Sequence, residues 1–354
     1  MRPQVIEDSF FRLPADVPFY EGQEDYVRVK ESLVDYHIAS RDLRSAVIEC
    51  SKYLVANPGT SLIPGAADGD GEKRLEIAIR RISGCAGFAK KLDLALSCLD
   101  TIINPEGEDP CDDVSDELLA KALSCAAFVH IELYEAARRR NDIKLANDHL
   151  YAAAMYADAS ISRGLVSPNA LWVTSVLTRS ATQYNIDIRN SPRYRVFKDL
   201  WSAMDKREEE MAVEDRKRSA KVAKAPNSYK CAAKGCGMEG TSKTALLRCG
   251  GKCPAEVKPS YCSKECQKKE WPAHKKICKP GSAVTPAENG PTVEVNLTDP
   301  TALDGEISTE RGPERIIELP HPGMPGGKLR IISKHMSPVF LRYLKESMNA
   351  ARAQ

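Results

Sequence analysis

Residues 262–278 read CSKECQKKEWPAHKKIC, and they form the end of a cysteine-rich segment that begins at Cys231. Along this segment the cysteines and a histidine come in four short pairs, C-x4-C, C-x3-C, C-x3-C and H-x3-C. The eight side chains are Cys231, Cys236, Cys249, Cys253, Cys262, Cys266, His274 and Cys278. Structural zinc takes four thiolate or imidazole ligands in a tetrahedron with no open position. The pattern therefore predicts two Zn²⁺ ions.

Zinc explains these cysteines better than disulfide bonds or another metal. Short ligand pairs that include a histidine favour zinc over copper or an iron–sulfur cluster. The segment is poor in apolar residues, and zinc binding, worth roughly 10–16 kcal/mol in zinc-finger peptides, supplies the stability that a small core lacks. A disulfide-rich module is the alternative, and it requires an oxidising compartment.

The rest of the chain gives no sign of export or of membrane insertion. The N-terminal residues, MRPQVIED, do not resemble a signal peptide. The longest apolar runs are far shorter than the ~20 residues of a membrane span. We therefore expect a protein of the cytoplasm, the nucleus or both, which is not secreted and has no membrane partner. Thiols stay reduced there, which favours metal binding by clustered cysteines.

Residues 23–190 have a helical pattern with a weak repeat. An alanine lies three residues after one apolar residue and four before the next, at Ala46, Ala95 and Ala146. These spacings place a small residue on one face of a helix, where a second helix can approach closely. The amphipathic stretches that precede the three copies are 26–39, 74–90 and 118–139. The loops that separate the helix pairs are expected at 57–71 and 104–113.

This region resembles tetratricopeptide-like repeats, whose units are 34-residue helix–turn–helix pairs. The first unit spans residues 25–58 and ends in Asn-Pro. The tryptophan, glycine and tyrosine landmarks of that family are missing, so an irregular all-α bundle is an equal alternative. Either architecture implies a scaffold for protein contacts rather than a catalyst.

The segments on either side of the cysteines have simpler patterns. Residues 193–224 are expected to form a long helix whose mixed charges are typical of a solvated arm. Its basic string, 216–218, also matches a nuclear localisation signal. At the C-terminal end, 315–319 and 328–333 predict a hairpin and 337–351 a helix. Because an isolated hairpin is marginally stable in water, this tail must dock on another part of the protein.

The predicted fold class is mainly α: a helical repeat or bundle domain, then a small two-zinc finger and a short α+β tail. The predicted segments are an N-terminal extension (1–22), a helical repeat-like domain (23–190), a charged helix and linker (191–226), the zinc finger (227–280), a flexible acidic linker (281–312) and a hairpin plus helix (313–354).

The ligand order and the run C-x3-C-Q-x3-W-x2-H-x3-C closely resemble the MYND-type zinc finger. The family's first two pairs are usually C-x2-C, whereas this chain has x4 and x3, which lengthens loops without removing a ligand. The resemblance implies that two zinc ions are held in cross-brace fashion. One ion is then held by Cys231, Cys236, Cys262 and Cys266, and the other by Cys249, Cys253, His274 and Cys278. With one such finger after a helical N-terminal region, this chain resembles a fungal class of MYND proteins.

The MYND resemblance also implies a function and a binding site. Modules of this family bind short proline-rich peptides of other proteins. The residues that line the peptide groove in the family correspond here to Gln267 and Trp271. A tryptophan face packs well on proline rings, which bring a preformed extended backbone at low entropic cost. The alternative is that Trp271 only covers the metal site.

The finger is basic, with 12 Lys+Arg and 4 Asp+Glu over residues 229–280, or 12 − 4 = +8. Seven thiolates on two Zn²⁺ ions contribute −7 + 4 = −3, which leaves about +5. Clustered lysines are a feature of phosphate binding. However, the segment has a single arginine and no pattern typical of a base-reading helix, which argues against a nucleic-acid partner.

The sequence predicts no catalytic function. Some MYND proteins are SET lysine methyltransferases, but the glycine-rich cofactor turns, Asn-His pair and catalytic tyrosine of that domain are not recognisable here. No small-molecule substrate is expected. The sequence therefore predicts a zinc-binding adaptor for proline-rich partners, and the alternative is a transcriptional or chromatin co-regulator in the nucleus.

Overall fold

The structure of the protein is a computed structural model. It describes residues 18, 20–37, 43–107, 109–254, 257–278, 313–320, 328–333 and 336–353. It divides into two compact units, one within Leu13–Glu210 and one built on Met211–Gln354. The predicted acidic linker, 281–312, and most of the predicted N-terminal extension, 1–22, lie outside the described residues.

The first unit is helical throughout its described part. Its helices are α1 (Gln23–Glu31), α2 (Leu43–Ala56), α3 (Gly59–Ala67), α4 (Gly71–Ser83), α5 (Leu92–Ile103), α6 (Asp116–Arg139), α7 (Ile143–Ser162) and α8 (Pro168–Tyr184), followed by the start of α9 (Lys198–Lys224). Several helices begin at a side chain that accepts a hydrogen bond from a free amide of the first turn. These N-caps are Asp70, Ser115, Asp142 and Ser167.

The alanines of the predicted repeat lie where neighbouring helices pack. Ala46, Ala95 and Ala146 are 2 %, 0 % and 2 % exposed. The most extensive helix pairing is between α6 and α7, whose shared core contains Ala127 and Ala153. The mainly helical prediction is thus confirmed, whereas a tetratricopeptide-type repeat and a fungal origin stay predictions.

Several helix boundaries differ from those predicted. Helix α4 ends at Ser83 rather than at residue 90. The expected loop at 57–71 contains α3, because the burial of Leu62 outweighs the glycine and proline content of this segment. Helix α1 ends at Glu31 rather than at residue 39. Just after its end, the Ser32 hydroxyl donates a hydrogen bond to the Val29 carbonyl. Helix α9 begins at Lys198 rather than at residue 193.

The late start of α9 has a packing cause. The segment before the helix inserts Tyr194 and Phe197 into the core of the first unit. The indole of Trp201 donates to the Tyr194 carbonyl over 3.0 Å. These contacts hold the segment in turns instead of a helix.

The second unit combines short helices with two small sheets. Its further elements are α10 (Pro226–Tyr229), β1 (Glu239–Gly240), β2 (Leu247–Arg248), β3 (Ser260–Tyr261), α11 (Lys264–His274), β4 (Arg315–Pro320), β5 (Lys328–Ser333) and α12 (Pro338–Ala353). One sheet has the order β1-β4-β5 and the other pairs β2 with β3, all antiparallel. The predicted hairpin and C-terminal helix are therefore present.

The C-terminal tail docks on the finger, as the hairpin's marginal stability required. Glu239 and Gly240 of β1 pair with Ile316 and Arg315 of β4. Helix α12 packs on β4, and its residue Leu341 is 0 % exposed. Among the described helices, none combines the length and apolar composition needed to cross a bilayer.

Candidate metal centres

The first metal centre contains four cysteines from two separate parts of the finger. The Sγ atoms of Cys231, Cys236, Cys262 and Cys266 all lie within 4.8 Å of one another. The Cys236–Cys262, Cys262–Cys266 and Cys236–Cys266 sulfur distances are 3.6, 3.5 and 3.8 Å. Except for Cys231, these side chains are buried.

The second centre contains three cysteines and the histidine. The ligand atoms of Cys249, Cys253, His274 and Cys278 lie within 4.8 Å of one another. His274 Nε2 lies 3.2 Å from Cys249 Sγ and 3.8 Å from Cys253 Sγ, and the Cys249–Cys278 sulfur distance is 3.7 Å. Burial lowers the pKa of His274, against the opposing charge of Glu270, and so favours the neutral imidazole that binds metal.

Both groups have the dimensions of a zinc tetrahedron. A Zn–S bond of about 2.3 Å places the sulfurs of a tetrahedral site about 3.8 Å apart. A disulfide would bring two sulfurs to about 2.05 Å, and none of these seven cysteines forms a disulfide. The two groups therefore fit two zinc ions. The first and third ligand pairs form one group and the second and fourth form the other, as the cross-brace arrangement requires.

Glycines allow the irregular first pair to reach its centre. Gly235 and Gly237 have φ angles of 79° and 68°, in the left-handed region that side chains rarely adopt. They lie on either side of Cys236 and turn the chain there, so that the Cys231 amide donates to the Met238 carbonyl over 2.8 Å. The longer C-x4-C spacing is thus accommodated by a tight turn.

A third glycine, Gly251, is required because the backbone there passes close to the sulfurs of the second centre. A β-carbon added to Gly251 would lie 2.3 Å from Cys278 Sγ and 3.4 Å from Cys249 Sγ. The Gly251 amide also donates to Cys249 Sγ over 3.3 Å. By contrast, a β-carbon on the neighbouring Gly250 would meet nothing within 4 Å. The sequence shows Gly250 and Gly251 between two ligands, but only the structure distinguishes their roles.

Helix α11 connects the two centres. It begins after Ser263, whose hydroxyl accepts from the Cys266 amide, and it ends at His274. The last ligand, Cys278, lies beyond the end of the helix, but its amide still donates to the His274 carbonyl over 3.0 Å. One ligand of each centre lies on this helix, so its position depends on both metals.

The C-terminal tail contributes to the surroundings of both centres. Ile317, Leu319 and Leu341 are buried in one cluster with the ligand Cys262 of the first centre and the ligand Cys249 of the second. This part of the site was not predicted, because apolar residues of a hairpin do not reveal which surface they cover.

The two predicted peptide-binding residues lie on one face of α11. Trp271 is 41 % exposed, and Gln267, one turn earlier, is half-buried. The Trp271 ring lies edge-on to His274, with centroids 6.0 Å apart and an interplanar angle of 60°. The indole therefore covers a metal ligand on one side and offers a surface to solvent on the other.

Two clusters in the helical unit also contain titratable groups. Glu76 is 2 % exposed and is held by the Tyr26 hydroxyl at 2.7 Å, Lys30 at 2.9 Å and Arg80 at 2.8 Å. This network joins α1 to α4. Its carboxylate is fully paired, which is typical of structural ion networks.

The second of these clusters is a histidine pair between α6 and α7. His130 Nδ1 lies 3.1 Å from His149 Nδ1, so one ring donates and the other accepts. The ring of Tyr156 stacks on His130 with centroids 5.4 Å apart. The described residues around it supply no third metal ligand, so the pair is not a candidate metal site.

These observations define a zinc finger with two interleaved centres. Residues 242–278 match the family model of the ZMYND11/ZMYD8 MYND zinc finger. The match includes six of the eight ligands and both Gln267 and Trp271, and it begins after Cys231 and Cys236. No curated protein and no solved structure matches the chain. The zinc-finger and MYND predictions are therefore confirmed for this part of the sequence.

Proposed function

We propose that the protein is a non-enzymatic adaptor whose MYND finger binds proline-rich segments of other proteins. MYND fingers are protein-interaction modules, and this one is built around two closed sites that hold structural zinc. A closed tetrahedral site has no position for a substrate or a reactive water. The finger therefore serves as a rigid binding surface in this proposal.

The observation that carries the proposal is the exposed indole of Trp271 on α11. An exposed tryptophan next to a metal centre offers a flat, rigid surface to the proline rings of an extended peptide. Gln267, one turn away on the same helix, supplies an amide that can donate to and accept from the peptide backbone. These two residues match the two requirements of such a ligand, apolar stacking and backbone hydrogen bonding.

The pairing of β1 also favours the face of α11 as the peptide-binding surface. An extended peptide can also bind by adding a strand to an exposed sheet edge. In this protein β4 already pairs with β1. Strand addition at that edge would require the tail to leave, whereas the α11 face is accessible in the folded finger.

Titration with proline-rich peptides tests the proposal. We expect Trp271→Ala to weaken binding by about tenfold or more, since stacked aromatic residues typically contribute 1–3 kcal/mol or more to an interface. Lys276→Ala is a matched control, because Lys276 is also exposed, lies just after α11 and has no role in the proposed groove. Both variants should retain the wild-type zinc content. Equal affinities of the three proteins would contradict the α11 groove.

A nuclear co-regulator is the second candidate, and the basic residues 216–218 of α9 favour it. Arg216 and Lys217 are exposed, whereas Arg218 is half-buried and forms an ion pair with Glu239. A receptor for a nuclear localisation signal would thus find two of three cations free. The steady-state location of the tagged protein, compared with an Arg216→Ala/Lys217→Ala variant, separates a nuclear protein from a cytoplasmic adaptor.

A further inference from the structure

The first metal centre has a cationic neighbour that comes from the C-terminal helix. Arg342 Nη1 lies 3.3 Å from Cys262 Sγ and 3.1 Å from Cys266 Sγ. The guanidinium is permanently protonated and donates only. Both sulfurs are therefore acceptors in these contacts, which is the role of a thiolate.

The charge of the two centres explains why the arginine lies at this one. Four thiolates and one Zn²⁺ carry −4 + 2 = −2, whereas three thiolates, a neutral imidazole and one Zn²⁺ carry −3 + 2 = −1. The first centre is thus the more negative. Three of its four cysteines are also buried, in an apolar cluster that contains residues of the tail. A buried negative charge is stabilised by a cation that donates hydrogen bonds to it.

We infer that Arg342 is a positioning residue of the first zinc centre, through which the C-terminal helix controls how tightly that centre holds its metal. The two hydrogen bonds fix the orientation of the Cys262 and Cys266 thiolates and withdraw charge from them. A thiolate with less charge is a weaker nucleophile and is slower to leave the metal for a proton or an electrophile. The finger is then a composite of two distant segments, and the tail is a part of the metal site.

This role differs from that of apolar packing by the tail. Packing stabilises the whole finger, so its loss loosens both centres. A contact with two sulfurs of one centre acts on that centre first. Outer-shell partners of metal ligands typically contribute 10- to 100-fold to metal affinity.

The test compares Arg342→Gln with Lys269→Gln in the full-length, zinc-loaded protein. Each variant removes one positive charge from the second unit, and Lys269 is an exposed residue of α11 that donates no hydrogen bond to a ligand sulfur among the described contacts. Zinc transfer to a chromogenic chelator gives the release rate. Alkylation by iodoacetamide, read by peptide mass spectrometry, shows whether Cys262 and Cys266 or Cys249 and Cys253 become reactive first.

We expect Arg342→Gln to speed zinc release from the first centre by about tenfold or more, with alkylation of Cys262 and Cys266 only. Lys269→Gln should behave as the wild type. Arg342→Lys should release zinc at a rate between those of the wild type and Arg342→Gln, because lysine keeps the charge without the planar fork. Equal rates in wild type and Arg342→Gln, or equal acceleration at both centres, would overturn the inference. If Arg342→Gln loses both metals, Arg342→Lys decides: selective acceleration at the first centre supports the inference, and wild-type rates overturn it.

Discussion

Glu239 of the finger and Ile316 of the C-terminal tail are directly paired residues of neighbouring antiparallel strands. Strand β1 is only two residues long, so its pairing with β4 is a large part of what holds it in place. The tail in turn places Leu319 and Leu341 in one buried cluster with cysteine ligands of both centres. The finger of this protein therefore includes residues that lie beyond the segment matched to the MYND family.

Two isoleucines of the tail hairpin allow the contribution of this packing to be measured. Ile317 is 0 % exposed and Ile332 is 55 % exposed. We expect Ile317→Ala to lower the free energy of unfolding of the finger by about 2–5 kcal/mol, as for other buried isoleucines. Ile332→Ala should change it by no more than about 0.5 kcal/mol.

Chemical denaturation of the two variants, followed by zinc release, provides the measurement. Equal midpoints for Ile317→Ala and Ile332→Ala would show that the hairpin does not pack on the finger in solution. A decrease confined to Ile317→Ala supports the composite finger but does not distinguish the role of Arg342.

The number of bound metals gives a second prediction. The purified, reduced protein should contain two zinc ions per chain, since two closed four-ligand groups are present. Cys266→Ala removes one ligand of the first centre and should lower the zinc content to one or less. Most of the helical circular dichroism should remain, because the first unit has an apolar core of its own.

Cys98→Ala is the matched control for this substitution. Cys98 is a free, half-buried cysteine of α5, far in sequence from the metal ligands. It should retain two zinc ions by elemental analysis. A wild-type protein with one zinc ion would contradict the presence of two complete metal centres. A Cys266→Ala protein that loses most of its helical signal would contradict the separate stability of the two units.

The eight ligands could be predicted from sequence because metal ligands must be cysteine or histidine at short, regular spacing. The same is true of the buried alanines at 46, 95 and 146, since helical periodicity directly reports which face is covered. The hairpin was predictable from its β-prone runs. Local patterns thus determined the parts of the fold that depend on neighbours in sequence.

The contacts between distant segments could not be predicted in this way. Arg342 is one of many arginines in the chain, and nothing in the neighbouring sequence shows that it donates hydrogen bonds to thiolates rather than lying in solvent. Helix α3 was missed because glycine and proline are poor helix formers, and the burial of Leu62 is a tertiary effect. These features depend on which surfaces meet, and a single sequence does not show that.

Adjacent glycines in the second ligand pair give a third prediction. Gly251→Ala would place a methyl group 2.3 Å from Cys278 Sγ, which a metal-bound sulfur cannot accommodate without moving. We expect this variant to lose zinc from the second centre by preference. Gly250→Ala, where the added carbon meets nothing within 4 Å, should bind two zinc ions as the wild type does.

Metal content and site-resolved cysteine alkylation distinguish the two glycine variants. The predicted result for Gly251→Ala is reactivity of Cys249, Cys253 and Cys278, with the first centre protected. If Gly250→Ala and Gly251→Ala lose zinc equally, loop flexibility rather than close approach explains both glycines.

The last prediction concerns pH and the helical unit. Burial, with a smaller contribution from His149, lowers the pKa of His130 to about 4, against about 6.5 for an unfolded histidine. The folded state therefore keeps this imidazole neutral over a range in which the unfolded state binds a proton. The free energy of unfolding should decrease as pH falls from about 6.5 to about 4, by about 1–3 kcal/mol in total. Above pH 7 His130 should make no pH-dependent contribution to the free energy of unfolding.

His130→Gln removes the titrating group, so we expect the stability of this variant to depend less on pH between about 6.5 and about 4 than that of the wild type. Urea unfolding at pH 7 and pH 5, followed by helical circular dichroism, gives the comparison, and any loss of zinc at low pH affects both proteins alike. Parallel pH profiles for His130→Gln and the wild type would show that His130 is not held neutral by the fold.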